Sequence, residues 1–189
     1  MSVKLAAKDI WRKVTEKVNA GQRLSHPEIP RMQFTLNGRL RELEAAPFES
    51  LATTLRERLQ MLGTKVACER GECGACTVLL DGIPVYSCIL LTNACQGRGV
   101  RTIEGVAAPG ALHPVQEAFI AHDAVQCGFC TPGQVMSAIA LLEQNPAPDD
   151  ASIRRAMSGN LCRCGTYPKI LAAVKSAAAA GLPRGDHGR

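Results

Sequence analysis

The chain has 189 residues, of which 46% are hydrophobic, 21% are charged and only 4% are aromatic. This length suits one or two small domains, and the composition excludes a disordered chain. No apolar run approaches the roughly 18 residues that a membrane-spanning helix requires, and no apolar signal segment follows the basic N-terminus. We therefore expect no membrane span and a cytoplasmic location.

The formal charge of +5 is concentrated at the ends of the chain. Residues 1–32 contain seven Lys or Arg against three acidic residues, whereas residues 34–180 are balanced. Nucleic-acid binding is not expected, because it requires basic side chains clustered on a folded face. Residues 1–32 are predicted to form a basic N-terminal arm that is helical, packed on its own domain or on a partner subunit. Four apolar residues of the arm recur at helical spacing: Ala7, Trp11, Val14 and Val18.

Residues 33–108 follow the order strand, strand, helix, loop, strand, strand, strand. This order predicts an α+β domain in which a small sheet folds over one helix. The dipeptides Asn37–Gly38 and Asp81–Gly82 indicate two tight hairpin turns. Between them, Ser50 is the predicted N-cap of an amphipathic helix that ends at Gly63. The buried face of this helix would consist of Leu51, Leu55, Leu59 and Leu62.

The sequence pattern of residues 109–180 is helical. Four amphipathic segments joined by short connections predict a four-helix bundle. Pro114 and Pro132 lie where a first helical turn tolerates proline, and Gly181 is placed to end the last helix. Residues 181–189 form a short C-terminal tail.

The nine cysteines are numerous for a chain with no predicted signal peptide. Eight fall into two sets of four, one set in each predicted domain, and we expect Cys95 to be a small buried hydrophobe. The first set is spaced C-x4-C-x2-C-x11-C and consists of Cys68, Cys73, Cys76 and Cys88. The second set is spaced C-x2-C-x31-C-x-C and consists of Cys127, Cys130, Cys162 and Cys164.

The spacing of the cysteines favours iron–sulfur chemistry. The opening C-x4-C-x2-C matches the plant-type ferredoxin spacing for a 2Fe–2S cluster, which requires four thiolates. Gly71, Gly74 and Gly128 allow backbone N–H groups to point at sulfur as an anion-binding nest. Each C-x2-C turn is expected to bring its two sulfurs to one iron. Zinc remains an alternative for the second set, whereas disulfides and a redox C-x2-C do not suit these loops.

Four segments carry a resemblance to a known family: "CERGECGACTVLLDG", "YSC", "QCGFCTPGQVM" and "GNLCRCGTYPKI". They resemble the small iron–sulfur subunit of the molybdenum hydroxylases, the xanthine-oxidase family, which includes aldehyde, carbon monoxide and N-heterocycle dehydrogenases. The resemblance covers residues 33–180. It implies a plant-type ferredoxin-like (β-grasp) domain holding the cluster distal to molybdenum with the first cysteine set. A four-helix-bundle domain would then hold the proximal cluster with the second set.

The resemblance also implies a place in a larger enzyme. Gln126 and Cys164 would face the molybdopterin cofactor of a large partner subunit, and no catalytic residue or substrate turnover is expected in this chain. Electrons would pass from molybdopterin through both clusters to FAD in a medium subunit, within a heterotrimer or a dimer of heterotrimers. The order Gly165–Thr166 departs from the Thr–Gly order of many members and resembles a branch that uses a cytochrome acceptor. A cytochrome partner and, less favoured, a stand-alone ferredoxin-like carrier are the alternatives.

Overall fold

The computed structural model describes residues 31–182 together with Glu16. The rest of the predicted N-terminal arm and the tail from residue 183 lie outside the described residues. The described chain is α+β, as predicted, with a five-stranded sheet followed by helices. The strands are β1 (Arg31–Leu36), β2 (Arg39–Glu44), β3 (Thr77–Leu80), β4 (Ile83–Tyr86) and β5 (Gly99–Arg101).

The sheet has the order β2-β1-β5-β3-β4, in which only β1 and β5 run parallel. Both predicted hairpin turns are confirmed, since Asn37 and Gly38 have φ of 50° and 77° and Asp81 and Gly82 have φ of 50° and 79°. Two successive residues with positive φ are what a two-residue turn requires to match the strand twist. Each hairpin therefore closes where the sequence indicated.

The predicted helix between the hairpins begins as expected. Helix α1 (Leu51–Thr53) is N-capped by Ser50, whose hydroxyl accepts a hydrogen bond from the Thr53 N–H at 3.2 Å. The chain continues as a π-helical turn over Thr54–Arg58. Leu51 and Leu55 are fully buried under the sheet, which confirms the first half of the apolar face.

The predicted end of this helix at Gly63 is wrong. The helical turns stop at Arg58, because Gln60 adopts a left-handed φ of 57°, and Leu62 is 50% exposed instead of buried. The Arg56 guanidinium holds the segment that follows, donating to the carbonyl oxygen of Leu62 at 3.1 Å. The Arg56 side chain therefore supplies a hydrogen bond that a longer helix would have supplied, and the helix can end before Gly63.

The four predicted bundle helices are present. They are α2 (Pro114–Ala121), α3 (Thr131–Gln144), α4 (Asp150–Met157) and α5 (Tyr167–Ala180). His113 is the N-cap of α2, its Nδ1 accepting from the Val115 N–H at 3.2 Å, so this histidine is structural. Gly181 has φ of 76° and ends α5 as predicted. None of the helices in the described part of the chain is long and apolar enough to cross a membrane.

Strand β3 joins the sheet to the bundle. All four of its residues are buried, because its two faces belong to different hydrophobic cores. Val78 and Leu80 pack with the α1 side of the sheet, together with the fully buried Cys95, whereas Leu79 packs into the helical core. The Arg101 guanidinium adds a polar link, donating to the Glu143 carboxylate of α3 at 2.6 and 2.7 Å. The two hydrophobic cores therefore share strand β3, and Ile103 and Val106 also pack against the helical core, so the boundary near residue 108 stays a prediction.

Candidate metal centres

The loop between α1 and β3 carries the first three cysteines, and Cys88 follows β4. Backbone N–H groups of Glu72 and Cys73 each point at the sulfur of Cys68, at 3.4 Å. Gly71, in the middle of this loop, has the positive φ of 76° that turns these groups inward. The anion-binding nest predicted from the glycines therefore surrounds the Cys68 sulfur.

The nest changes the acidity of this thiol. The N–H of Arg70, followed by those of Cys73 and Glu72, lowers the pKa of Cys68 to about 6. A thiolate, not a thiol, is the form that binds iron. The loop therefore holds a negatively charged sulfur ready before any metal arrives.

We expect this acidity to be measurable in the cluster-free chain. The rate at which iodoacetamide alkylates Cys68 should rise with pH, with a midpoint of about 6, because only the thiolate reacts. By about pH 7 the rate should be close to its maximum. Mass spectrometry of the alkylated peptides gives the rate at each pH. Cys95 is the internal control, since burial raises its pKa to about 11. A Cys68 midpoint near that of an ordinary thiol would contradict the nest.

The second cysteine set lies at the start of α3 and just before α5. A cavity of about 480 Å³ opens between the two cysteine loops and is lined by Cys127, Cys130 and Cys162 from the bundle and by Cys73 and Ala75 from the sheet domain. Such a cavity provides the room that an inorganic cluster between these thiols requires. The described residues therefore fit a metal group at this position.

One hydroxyl tunes the second set. Burial acts to raise the pKa of Cys162, but hydrogen bonds from the Thr166 hydroxyl and backbone N–H outweigh it and lower the value to about 7. The Thr166 oxygen lies 3.1 Å from the Cys162 sulfur. In the sequence, Thr166 stands out only through its inverted order with Gly165, whereas the structure shows its direct contact with a candidate ligand.

We expect Thr166→Val to lower the reduction potential of a cluster bound here. A hydrogen bond to sulfur stabilises the more negative, reduced state. Its loss should cost on the order of 1 kcal/mol, or about 40 mV for one electron. A redox titration followed by EPR measures the potential, and Thr166→Ser, which keeps the hydroxyl, should behave as the wild type. An equal shift in both variants would contradict a specific role of the hydroxyl, because Thr166→Ser keeps it.

Thiols of the same set influence one another's acidity. After the backbone N–H groups and burial, Cys73 acts on the pKa of Cys68, and after burial Cys76 acts on that of Cys88. In the second set, Cys164 acts on the pKa of Cys127 after the Phe129 N–H, and Cys162 acts on that of Cys130 after burial. That each C-x2-C turn brings its two sulfurs to one iron stays a prediction.

The outer side of the second set is an exposed edge. Gln126, Cys127 and Cys164 all lie toward solvent, and Cys127 and Cys164 contact each other. The N–H of Phe129, followed by the Cys164 thiol, lowers the pKa of Cys127. The inner pair, Cys130 and Cys162, is turned toward the protein, and burial raises the pKa of Cys130 to about 12. The second set thus has one side open to solvent.

The two cysteine loops touch through a backbone contact that the sequence did not reveal. The Leu161 N–H donates to the carbonyl oxygen of Cys73 at 2.8 Å. Leu161 directly precedes Cys162, so one peptide link and one hydrogen bond connect Cys162 of the second set to Cys73 of the first. Only the fold could bring these positions together, since they are 88 positions apart in the sequence.

Comparison with known proteins places this geometry in a family. Residues 34–98 match the model of a 2Fe-2S iron-sulfur cluster binding domain, and residues 102–175 match that of a [2Fe-2S] binding domain. The iron-sulfur-binding subunit PaoA of aldehyde oxidoreductase from Escherichia coli is 44% identical over 80% of this chain and 73% of that subunit. This chain is a small iron–sulfur subunit of the molybdenum hydroxylase family.

Other members of the molybdenum hydroxylase family are similar over most of their length. The small FeS subunit of nicotinate dehydrogenase from Eubacterium barkeri is 45% identical over 77% of this chain and 93% of its own. Among solved structures, quinoline 2-oxidoreductase from Pseudomonas putida 86 contains a chain that superposes with a TM-score of 0.78 at 41% identity. That superposition covers 82% of this chain and 96% of the other. The iron–sulfur subunit therefore has two 2Fe–2S binding domains, as the two cysteine sets predicted.

Proposed function

We propose that this iron–sulfur subunit relays electrons from the molybdopterin site of a large partner subunit to an acceptor on a third subunit. The observation that carries the proposal is the 2.8 Å hydrogen bond from the Leu161 N–H to the Cys73 carbonyl oxygen. It connects the two candidate cluster loops through the backbone. A carrier that used its two sites independently would have no need for this contact.

The proposed ligands divide by domain. Cys68, Cys73, Cys76 and Cys88 would hold the distal cluster, and Cys127, Cys130, Cys162 and Cys164 the proximal one. When bound, each 2Fe–2S cluster accepts and releases one electron at a time. The chain itself holds the thiolates, donates N–H groups to the Cys68 sulfur and joins the two loops through the contact between Cys73 and Leu161.

The exposed edge of the second set supports the proposed direction of electron flow. Gln126 and Cys164 lie on the solvent side of this set, where a partner's cofactor can approach them. The other three cysteines of the set, Cys127, Cys130 and Cys162, line the cavity between the loops, opposite Cys73 of the sheet domain. We therefore propose Gln126 and Cys164 as the molybdopterin-facing residues and the second set as the site nearer to molybdenum.

The acceptor is proposed to be FAD on a medium subunit, with a cytochrome as the alternative that the Gly165–Thr166 order favours. Relatives are named for aldehyde, nicotinate and isoquinoline substrates, so we propose that the large subunit sets the substrate. We propose an assembly of three subunits, or a dimer of it. Nine free cysteines, all within the described residues, suit the reducing cytoplasm as its compartment.

Purification of the intact complex tests the proposal. Metal and sulfide analysis should give about four irons and four labile sulfides per chain, and reduction should produce two EPR signals. Zinc, or about two irons in the wild type, would overturn the assignment of two clusters. Mass spectrometry of the co-purifying subunits distinguishes the acceptors: a flavoprotein supports FAD, and a cytochrome supports the alternative. Recovery of this chain alone, fully loaded, would favour a free carrier.

A further inference from the structure

Asn160 lies at the centre of the contact between the two cysteine loops. It is 2% exposed, and every hydrogen-bonding group of its side chain is used. Its Nδ2 donates to the Gly74 carbonyl oxygen at 2.8 Å and to the Thr77 hydroxyl at 3.1 Å. Its Oδ1 accepts from the Ser137 hydroxyl of α3 at 2.7 Å. One amide therefore bonds to both domains.

The positions of these partners relate Asn160 to both candidate clusters. Asn160 is two residues before Cys162, and Gly74 directly follows Cys73. The Asn160 amide thus runs beside the Leu161–Cys73 backbone hydrogen bond and ties the same two loops together. Two links in parallel fix the relative position of the loops more firmly than one.

The packing around Asn160 is close. A Cβ placed on Gly74 would lie under 3.0 Å from the Gly159 carbonyl oxygen, and one on Gly133 would lie under 3.0 Å from the Gly74 carbonyl oxygen. The Tyr86 hydroxyl closes the other side, donating to the Gly159 carbonyl oxygen at 2.8 Å. Buried polar groups that are fully paired specify one arrangement, because any displacement leaves a group unpaired.

We propose that Asn160 is a positioning residue that holds the two cluster loops in register and thereby sets the coupling between the clusters. This inference rests on the proposed function, since it requires a cluster at each cysteine set. Electron tunnelling falls steeply as the gap between redox groups widens. An amide that keeps Cys73 against Leu161 therefore controls how fast an electron crosses, without contacting any ligand sulfur itself.

The test uses the intact complex carrying Asn160→Ala. We expect about four irons per chain, a weaker magnetic interaction between the two reduced clusters in EPR, and cluster-to-cluster transfer slowed by about tenfold or more. The midpoint potentials should not change, because no hydrogen bond to sulfur is removed. The KM for substrate should also be unchanged. A fully loaded variant with wild-type magnetic interaction and transfer rate would overturn the proposal.

Two further variants separate positioning from general weakening. Ser137→Ala removes the bond to α3 but keeps both Asn160 donors on the sheet domain, so we expect wild-type coupling. Asn160→Asp keeps the volume of the side chain but replaces the donor to Gly74 with an acceptor, and should reduce coupling as alanine does. Equal losses in Ser137→Ala and Asn160→Asp would refute a specific role. Failure of the proposed function would appear separately, as missing irons in the wild type.

Discussion

Cys130→Ala is expected to remove the proximal cluster while leaving the distal one in place. Cys130 belongs to the second set and is the N-cap of α3, whereas the first set is held by the sheet domain. A cluster that loses one of four thiolates is lost or becomes labile. Iron and sulfide should therefore fall from about four to about two per chain, with one EPR signal remaining.

The functional consequence should be nearly complete. Substrate would still reduce the molybdenum site of the partner, but the exposed edge of this chain could no longer receive the electrons. Turnover with the physiological acceptor should be lost, while the distal signal should still appear with a chemical reductant. Stopped-flow reduction by substrate and by dithionite distinguishes the two.

Cys95→Ala is the matched control for this variant. Cys95 is fully buried in the sheet core and belongs to neither set, so its loss should reduce stability slightly and leave all irons bound. The opposite experiment, Cys88→Ala, should remove the distal signal and keep the proximal one. If either ligand variant lost both signals in a folded complex, the two sites would not be independent. That result would be informative, because β3 belongs to both hydrophobic cores.

Local signals in the sequence were sufficient for most elements of the fold. The turns at Asn37–Gly38 and Asp81–Gly82 and the cap at Ser50 depend on residues that are adjacent in sequence. The prediction failed at Leu62, which continues the apolar periodicity but is exposed. The apolar periodicity contains no information on the hydrogen bond from Arg56 to the Leu62 carbonyl oxygen. Nor does it show that Gln60 adopts a left-handed φ.

The candidate site divides in the same way. Both sets of four cysteines could be grouped from spacing, because each contains close-spaced members. The effect of Cys164 on Cys127 could not be predicted, since the two cysteines lie on different loops that only the folded bundle brings together. The sequence also gave no signal for the contacts of Asn160 and Thr166, although both lie close in sequence to cysteines of the second set. Their partners, Gly74 and the Cys162 sulfur, are set by tertiary structure and by the turn before α5.

Gly74→Ala is expected to destabilise the contact between the two cluster loops. Gly74 has φ of 69°, and a methyl group there would lie under 3.0 Å from the Gly159 carbonyl oxygen and from the Asn160 amide nitrogen. Left-handed backbone costs a residue with a Cβ about 1–2 kcal/mol. Forcing apart a packed contact adds about 1–3 kcal/mol. This cost of separating packed atoms arises at the contact between the two cluster loops.

Gly82→Ala isolates that second cost. Gly82 has a similar φ of 79°, but nothing lies within 4 Å of the position that its methyl group would take. Both variants therefore carry the backbone cost, and only Gly74→Ala must move the Gly159–Asn160 segment. For a chain of this size, the unfolding temperature of Gly74→Ala should be about 3–10 °C below that of Gly82→Ala. Scanning calorimetry of the two loaded proteins measures the difference. Equal decreases would mean that the loops can separate without a cost in free energy. That result would contradict the conclusion that the two cluster loops are tightly packed.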